Sequence, residues 1–121
     1  METTYSSDSG ARALQSLRDI DGVYGSFVIN REGAPTARDL PAVFDNGTLE
    51  ESGVRIVQLW EVVSEGAPAE YALLDFTEYS LFVRAVGNGC LCVVVPPQVN
   101  VLALRLASKW VARHFDPNAL T

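Results

Sequence analysis

The chain has 121 residues, 48% of them hydrophobic and 20% charged, which predicts one folded domain and excludes a disordered or collagen-like polymer. Nine basic and fifteen acidic residues give a net charge of -6, which argues against nucleic acid as a partner because phosphates would be repelled. The longest apolar run, residues 90–95, is far shorter than the roughly 20 residues of a spanning helix, so no membrane span is expected.

The N-terminal residues 1–8 contain neither a basic segment nor an apolar stretch. We therefore expect no secretory signal and a cytoplasmic location. Because these residues are small and polar, they predict a flexible arm in front of a single domain that spans 9–115. Residues 116–121 are predicted to form a C-terminal tail.

A first helix is predicted after this arm. Ala11, Leu14, Leu17 and Ile20 recur at roughly helical spacing, with charged residues on the other sides. We expect this helix to end near Gly22 and to bury its apolar side against a sheet.

A β-hairpin follows. Residues 23–29 read as a strand, and the turn-forming run 30–33 leads to a second strand within 34–40. Pro35 cannot donate a ladder hydrogen bond, so the second strand is expected at an edge of the sheet.

The second helix has a sequence signal at its start. Asn46-Gly47 predicts a turn, and Thr48 with Glu51 three residues later fits a capping box. Gly66 is expected to close the helix. Val54 and Val57 lie off the predicted inward face, where they are either scattered surface valines or part of a partner contact. The predicted inward face consists of Leu49, Ile56, Leu59, Trp60 and Val63.

Three further strands are predicted at short spacing, over 70–76, 79–86 and 90–95, and form an antiparallel meander. The last of them is apolar on both faces, which is typical of a central strand covered by helices on both sides. The strand with Glu70 and Asp75 is expected at the second edge.

Asn100 is a plausible N-cap for a final helix over 101–115, which Asp116-Pro117 would end. The predicted order is therefore helix, strand, strand, helix, strand, strand, strand, helix. This is an α/β (α+β) fold with a five-stranded antiparallel sheet and helices on both faces.

No residue combination predicts catalysis. His114 is the only histidine, and neither Cys90 nor Cys92 has an activating neighbour in the sequence. The two cysteines could supply two metal ligands, but no second pair completes a tetrahedral site, so core packing is favoured. Gly87-Asn88-Gly89 links two strands and is interpreted as a turn. We expect no enzyme activity, no cofactor and no metal.

The final helix carries one basic stripe in an acidic protein. Arg105, Lys109 and Arg113 recur every four residues. The stripe is either a solvated face or a docking surface for an acidic partner, where its charges would speed association more than they tighten it.

The order of these elements resembles the roadblock family of dynein light chains and its bacterial relatives, the Mgl-type regulators of a Ras-like polarity GTPase. The resemblance covers residues 9 to 115. It rests on Leu14-x-x-Leu17, Ile20-x-Gly22-Val23-x-Gly25, Asn30-Arg31-Glu32-Gly33, Leu81-x-Val83, Gly89-x-Leu91-x-Val93-Val94-Val95 and Asn100-x-Leu102-x-Leu104.

The resemblance implies a homodimeric binding module, joined through the third strands and second helices into one continuous sheet. It also implies a Ras-like small GTPase or another roadblock-family protein as partner, in bacterial cell polarity or motility. Independently, the proline-free strand at the second edge would expose unpaired backbone groups. The expected interface consists of Val54, Val57, Gln58, Glu61, Glu65, Tyr71, Leu73 and Leu74.

An alternative function belongs to a different class. The same layers of helix and sheet could enclose a pocket, which would make the chain a small-molecule sensor or an accessory subunit of an enzyme. A ligand-induced shift in melting temperature without GTPase binding would favour this alternative.

Overall fold

The structure is a computed structural model that describes residues 10–41, 46–65, 70–75, 79–87 and 89–115, with backbone alone for 46–50, 63 and 64. The predicted N-terminal arm, 1–8, and the predicted tail, 116–121, lie outside the described residues.

The described elements follow the predicted order. Helix α1 covers residues 10–15 and continues as a single 3-10 turn, Ser16–Asp19. The other elements are β1 (Gly25–Ile29), β2 (Pro35–Asp39), α2 (Asn46–Ser64), β3 (Tyr71–Asp75), β4 (Ser80–Val86), β5 (Gly89–Val95) and α3 (Val101–Phe115).

The five strands form one antiparallel sheet in the order β2-β1-β5-β4-β3. Strand β5 lies at the centre, and β2 and β3 are the two edges. The predicted sheet, the predicted meander from β3 to β5 and both predicted edge strands are therefore confirmed.

Apolar clusters cover both faces of this sheet. One lies under α1 and α3 and includes Leu14 and Leu104, and the other lies under α2 and includes Ile56. Because side chains alternate along a strand, Leu91 of β5 joins the first cluster and Cys92 the second. Strand β5 is thus buried on both faces, as predicted.

The turn between β1 and β2 supports α2. Asn30 Oδ1 accepts hydrogen bonds from the backbone N–H groups of Glu32 and Ala34, both at 3.0 Å. Gly33 has a φ of +88°, which glycine adopts without strain. A Cβ on Gly53 of α2 would collide with the Gly33 carbonyl oxygen, so helix and turn meet backbone to backbone.

The β2 edge is built in a way that discourages pairing with another strand. Pro35 lies opposite Ile29, and the register with β1 shifts at this point. At the other end, Asp39 accepts a hydrogen bond from Arg18 Nε at 2.6 Å. Proline, irregular register and charge are features that keep an edge strand from recruiting another chain.

Two helix starts test the predicted caps. Helix α2 begins at Asn46, so the predicted Asn46-Gly47 turn and Thr48 cap are wrong. The first N–H groups of a helix have no intrahelical acceptor, so the backbone can begin its helix on weak helix formers at little cost. Asn100 Oδ1 accepts a hydrogen bond from the Ala103 N–H at 3.0 Å, which confirms the cap of α3. The expected ends at Gly66 and Asp116-Pro117 lie outside the described residues.

Candidate functional site

Strand β3 is the edge without features that block pairing. It pairs with β4 in a regular register, with Leu73 opposite Phe82, and its other side meets no strand of the described chain. The strand contains no proline and no bulge. Its outward backbone N–H and C=O groups therefore have no strand partner among the described residues, and an edge of this kind can pair with a strand from another molecule.

The side chains of β3 alternate between the two faces of the sheet. Tyr71 stacks on Phe82 with ring centroids 5.0 Å apart, on the face that α1 and α3 cover. Leu73 shares that face and is 37% exposed, whereas Leu74 packs against the cluster under α2. Leu73 is the most exposed of the three predicted interface residues on β3.

Helix α2 adds apolar side chains beside this edge. Leu59 is 43% exposed and lines a crevice with Ala72 and Leu74 of β3. Val62, three residues later on the same side of the helix, is 67% exposed. We define the β3–α2 surface as strand β3 together with Leu59 and Val62. An apolar crevice joins its two parts and is lined by Ile56, Leu59, Trp60, Ala72, Leu74 and Val83.

The predicted interface residues of α2 have different positions. Val54, Gln58, Glu61 and Glu65 are exposed. Val57 differs from the expectation of an outward position, because it is half-buried and packs against the cluster under α2.

Leu59 was predicted on the inward face of α2, and this prediction is wrong, because the side chain is 43% exposed. Leu59 lies about 140° around the helix from Val54, on the flank next to β3. Neither Leu59 nor Val62 was among the residues predicted for an interface. The signal that could have found them is Gly53, since a glycine within a helix marks the side where another backbone approaches.

Glu70, directly before β3, links this edge strand to β4 and α3 through hydrogen bonds. Its carboxylate accepts hydrogen bonds from Arg105 Nε and Arg84 Nη2, both at 2.7 Å. Arg84 is buried and also donates to Ser108 Oγ at 3.1 Å. Arg105, part of the predicted basic stripe, is therefore paired within its own chain.

These contacts shift the titration of Glu70. Hydrogen bonds first from Arg105 and then from Arg84 lower the pKa of Glu70 to about 2. The same pairing raises the pKa of Arg105. Both side chains therefore remain charged around neutral pH.

We expect Glu70 to make the stability of the fold sensitive to acid. Its folded pKa lies below the ordinary 4.5, so its contribution is present above that pH and is lost as the pH falls towards 2. Urea unfolding of the wild type and of Glu70→Gln should show a stability difference that shrinks over this range. A difference that does not change with pH would contradict the assignment. Glu32→Gln, in an exposed turn, controls for removal of a surface carboxylate.

The cysteines are not suited to chemistry. Both are buried and free. Burial raises the pKa of the Cys90 thiol to about 11, and burial followed by the nearby Cys90 raises the pKa of Cys92 well above its usual value. Because the thiolate is the nucleophile and the metal ligand, two neutral thiols in the core fit the predicted packing role.

The described residues provide neither a cluster of metal ligands nor a membrane-spanning helix. They contain no group of three or more His, Cys, Asp or Glu side chains placed to hold a metal ion. Within the same part of the chain, the helices are too short or too polar to cross a membrane.

A separate cleft lies between α2 and the β4–β5 hairpin. Its volume is about 240 Å³, and Arg31 and Glu61 are its charged side chains. Small-molecule sites usually enclose about 300 Å³ or more, so this cleft is small for such a role. It is lined by Arg31, Val57, Trp60, Glu61, Ala85, Gly87, Gly89 and Cys90.

Comparison with known proteins identifies the fold. No protein-family model and no curated protein matches the sequence. A roadblock/LC7 domain from Streptomyces avermitilis is similar in structure, with a TM-score of 0.75 and 13% identity over 90% of this chain and 96% of that one. The gliding protein MglB of Thermus thermophilus gives 0.68 and 13%, over 88% and 84%. MglC from Myxococcus xanthus gives 0.61 and 12%, over 86% and 93%.

The chain thus has the fold of roadblock/LC7 domains, as the resemblance in its sequence implied. The likeness extends over most of this chain and most of each of those structures.

Proposed function

We propose that the chain is a cytoplasmic, homodimeric interaction module of roadblock type. It binds or modulates a Ras-like small GTPase, or a sister roadblock protein, in bacterial cell polarity or motility. The observation that carries the proposal is the open edge of β3 beside the exposed Leu59 and Val62. The likeness to MglB and MglC structures supports the Mgl-type role.

Pairing of two β3 edges would complete the unpaired backbone groups. An antiparallel pair of identical strands has two-fold symmetry, and it would join two five-stranded sheets into one. Leu73, at the middle of β3, would then lie at or near the symmetry axis. The α2 helices of the two protomers would share one face of the joined sheet.

The apolar part of the β3–α2 surface accounts for some of the required affinity. Leu59, Val62 and Leu73 are already partly covered, so complete burial contributes about 1 kcal/mol each, or roughly 6 kcal/mol for the dimer. Association costs about 4–15 kcal/mol in lost translational and rotational freedom, so this apolar contribution offsets only the lower part of that range. The backbone hydrogen bonds of the joined edges are therefore needed for a stable dimer.

The joined α2 helices are the face we propose for the GTPase. Glu61 and Glu65 are exposed there and would lie at the rim of such a contact. Any stimulation of GTP hydrolysis would act by repositioning residues of the GTPase itself.

The proposal is tested by light scattering of the purified chain, followed by pull-down of GTP-loaded and GDP-loaded Ras-like GTPases from the same genome. We expect a dimer that retains at least one loaded form. Reversing the rim charges with Glu61→Lys and Glu65→Lys should abolish retention and leave the dimer intact, whereas Glu32→Lys should change neither. A strict monomer that binds neither form would refute the proposal.

Ligand sensing remains a second candidate because of the cleft between α2 and the β4–β5 hairpin. A screen of metabolites by thermal melting tests it. A stabilising ligand whose effect is lost in Arg31→Ala, together with failure of every GTPase to bind, would favour sensing over the interaction module.

A further inference from the structure

Helix α3 carries a second apolar row on the side that faces solvent. Leu102, Leu106 and Trp110 recur every four residues and are 61%, 57% and 71% exposed. The row is about 12 Å long, since eight residues of helix rise 1.5 Å each. The opposite side of α3 supplies Leu104 and Val111 to the core, whereas this row is not part of that cluster.

Cations accompany this row, and α3 contains no acidic residue in a chain of net charge -6. Arg105 is paired with Glu70, but no ion pair joins Lys109 or Arg113 to a carboxylate of the described chain. The Arg113 guanidinium lies over Trp110, 4.7 Å from the ring centroid. We define the α3 ridge as Leu102, Leu106 and Trp110 with Lys109 and Arg113.

We propose that the α3 ridge binds an acidic amphipathic helix of a partner protein. Side chains spaced by four residues form a ridge that packs into the groove between equivalent rows on a second helix. A partner with apolar residues along one face and carboxylates beside them would bury the three apolar side chains and pair with Lys109 and Arg113. Such charges steer encounter and select against basic partners.

The position of the ridge makes it independent of the proposed dimer contact. α3 and α2 pack on opposite faces of the sheet. The proposed dimer contact follows the edge of β3, where Leu73 lies on the α3 side of the sheet, whereas the ridge lies on the solvent side of α3. A bound helix and a second protomer would therefore use different residues.

Hydrogen bonds from the sheet side fix the position of α3, the helix that presents the ridge. Ser108 Oγ accepts a hydrogen bond from Arg84 Nε and donates one to the Arg105 carbonyl at 3.0 Å. Arg105 is in turn held by Glu70. The helix that carries the ridge is thus already positioned, so binding has to order only the exposed side chains of the ridge and not the helix itself.

The charge pattern favours an acidic partner over other occupants. A second copy that offered its own α3 would bring Lys109 and Arg113 against their equivalents, and like charges repel. A membrane is a flat surface, and a single narrow row of three apolar side chains would bury little of itself in it.

The test uses three synthetic helical peptides as probes. The first has leucines along one face and glutamates beside them, the second replaces each glutamate by lysine, and the third scrambles the acidic sequence so that no apolar face forms. Titration is followed by NMR at the Trp110 indole, which Trp110→Phe assigns. We expect only the first peptide to bind, with an affinity that falls as salt is added.

Matched variants locate the contact. Lys109→Glu should weaken binding of the acidic peptide by about tenfold or more, whereas Arg55→Glu, the same charge change at an exposed position of α2 on the opposite face of the sheet, should not. Trp110→Gln should likewise weaken binding, while Tyr24→Gln, at an exposed position before β1, should leave it unchanged.

The proposal is overturned if the acidic amphipathic peptide does not bind, or binds no better than the other two. It is also overturned if Lys109→Glu and Trp110→Gln leave binding unchanged. Sedimentation with vesicles of phosphatidylcholine and phosphatidylserine that is lost in Trp110→Gln would assign the ridge to a membrane instead. Self-association that is lost in the same variant would assign it to a second copy.

Discussion

Replacing Leu73 by lysine is expected to convert the proposed dimer into a monomer. Each dimer would lose two leucines at the middle of the joined edge, and two ammonium groups would be brought together there. The lost apolar burial and the charge repulsion together amount to about 3 kcal/mol or more, which is a hundredfold or greater rise in the dissociation constant. Sedimentation velocity over a range of protein concentrations measures it.

The same substitution elsewhere on the surface is the control. Tyr24→Lys places a new ammonium group at a side chain that is 47% exposed and lies away from β3. It should leave the dissociation constant unchanged, and both variants should keep their fold. An unaltered dimer in Leu73→Lys would show that β3 is not the contact.

Truncation of Phe82 is expected to give the largest loss of fold stability. Phe82 is completely buried in the cluster under α1 and α3, and Tyr71 of β3 stacks on it. Phe82→Ala should lower the free energy of unfolding by about 3–5 kcal/mol, because it removes apolar contacts and leaves a cavity. Against a typical total of about 5–15 kcal/mol, this is a large fraction of the stability.

Unfolding should be measured by urea in the Leu73→Lys background, so that dissociation of a dimer does not add to the result. Phe82→Leu, which keeps much of the apolar volume, should cost clearly less than Phe82→Ala. A loss below about 1 kcal/mol for Phe82→Ala would contradict the packing described for this cluster.

The fold could be predicted because its signals are local. Alternation and turn residues defined the strands, and the run at 90–95 with no polar face identified β5 as the central strand. The hairpin from β1 to β2 rests on contacts within five residues, where Asn30 receives the N–H groups of the turn and Gly33 supplies a positive φ. Such interactions are visible in sequence.

The orientation of α2 depends on a long-range contact. This helix has apolar residues on several sides, so periodicity alone does not determine which side faces inward. Leu59 was predicted to face inward and Val57 outward, whereas Leu59 is exposed and Val57 packs against the cluster under α2. The close approach of Gly53 to Gly33, twenty residues earlier in the sequence, decides which side meets the sheet. A contact of this kind has no local pattern beyond the glycine itself.

The role of Arg105 could not be predicted for a similar reason. Its partner, Glu70, precedes it by 35 residues, and only the sheet brings the two together. The even spacing of Arg105, Lys109 and Arg113 indicated three equivalent cations. Because Arg105 pairs with Glu70, only Lys109 and Arg113 remain for the proposed partner. The exposed row of Leu102, Leu106 and Trp110 was not predicted, because this helix has apolar residues on more than one side and their spacing alone does not show which side meets the sheet.

The pairing of β3 with a second copy is measured most directly by hydrogen exchange of its backbone amides at increasing protein concentration. If the edges join, the amides of Tyr71–Asp75 that face away from β4 become more protected as dimer forms, while those of α3 do not change. Exchange in β3 that stays the same at every concentration, although scattering detects a dimer, would contradict the account and place the contact elsewhere.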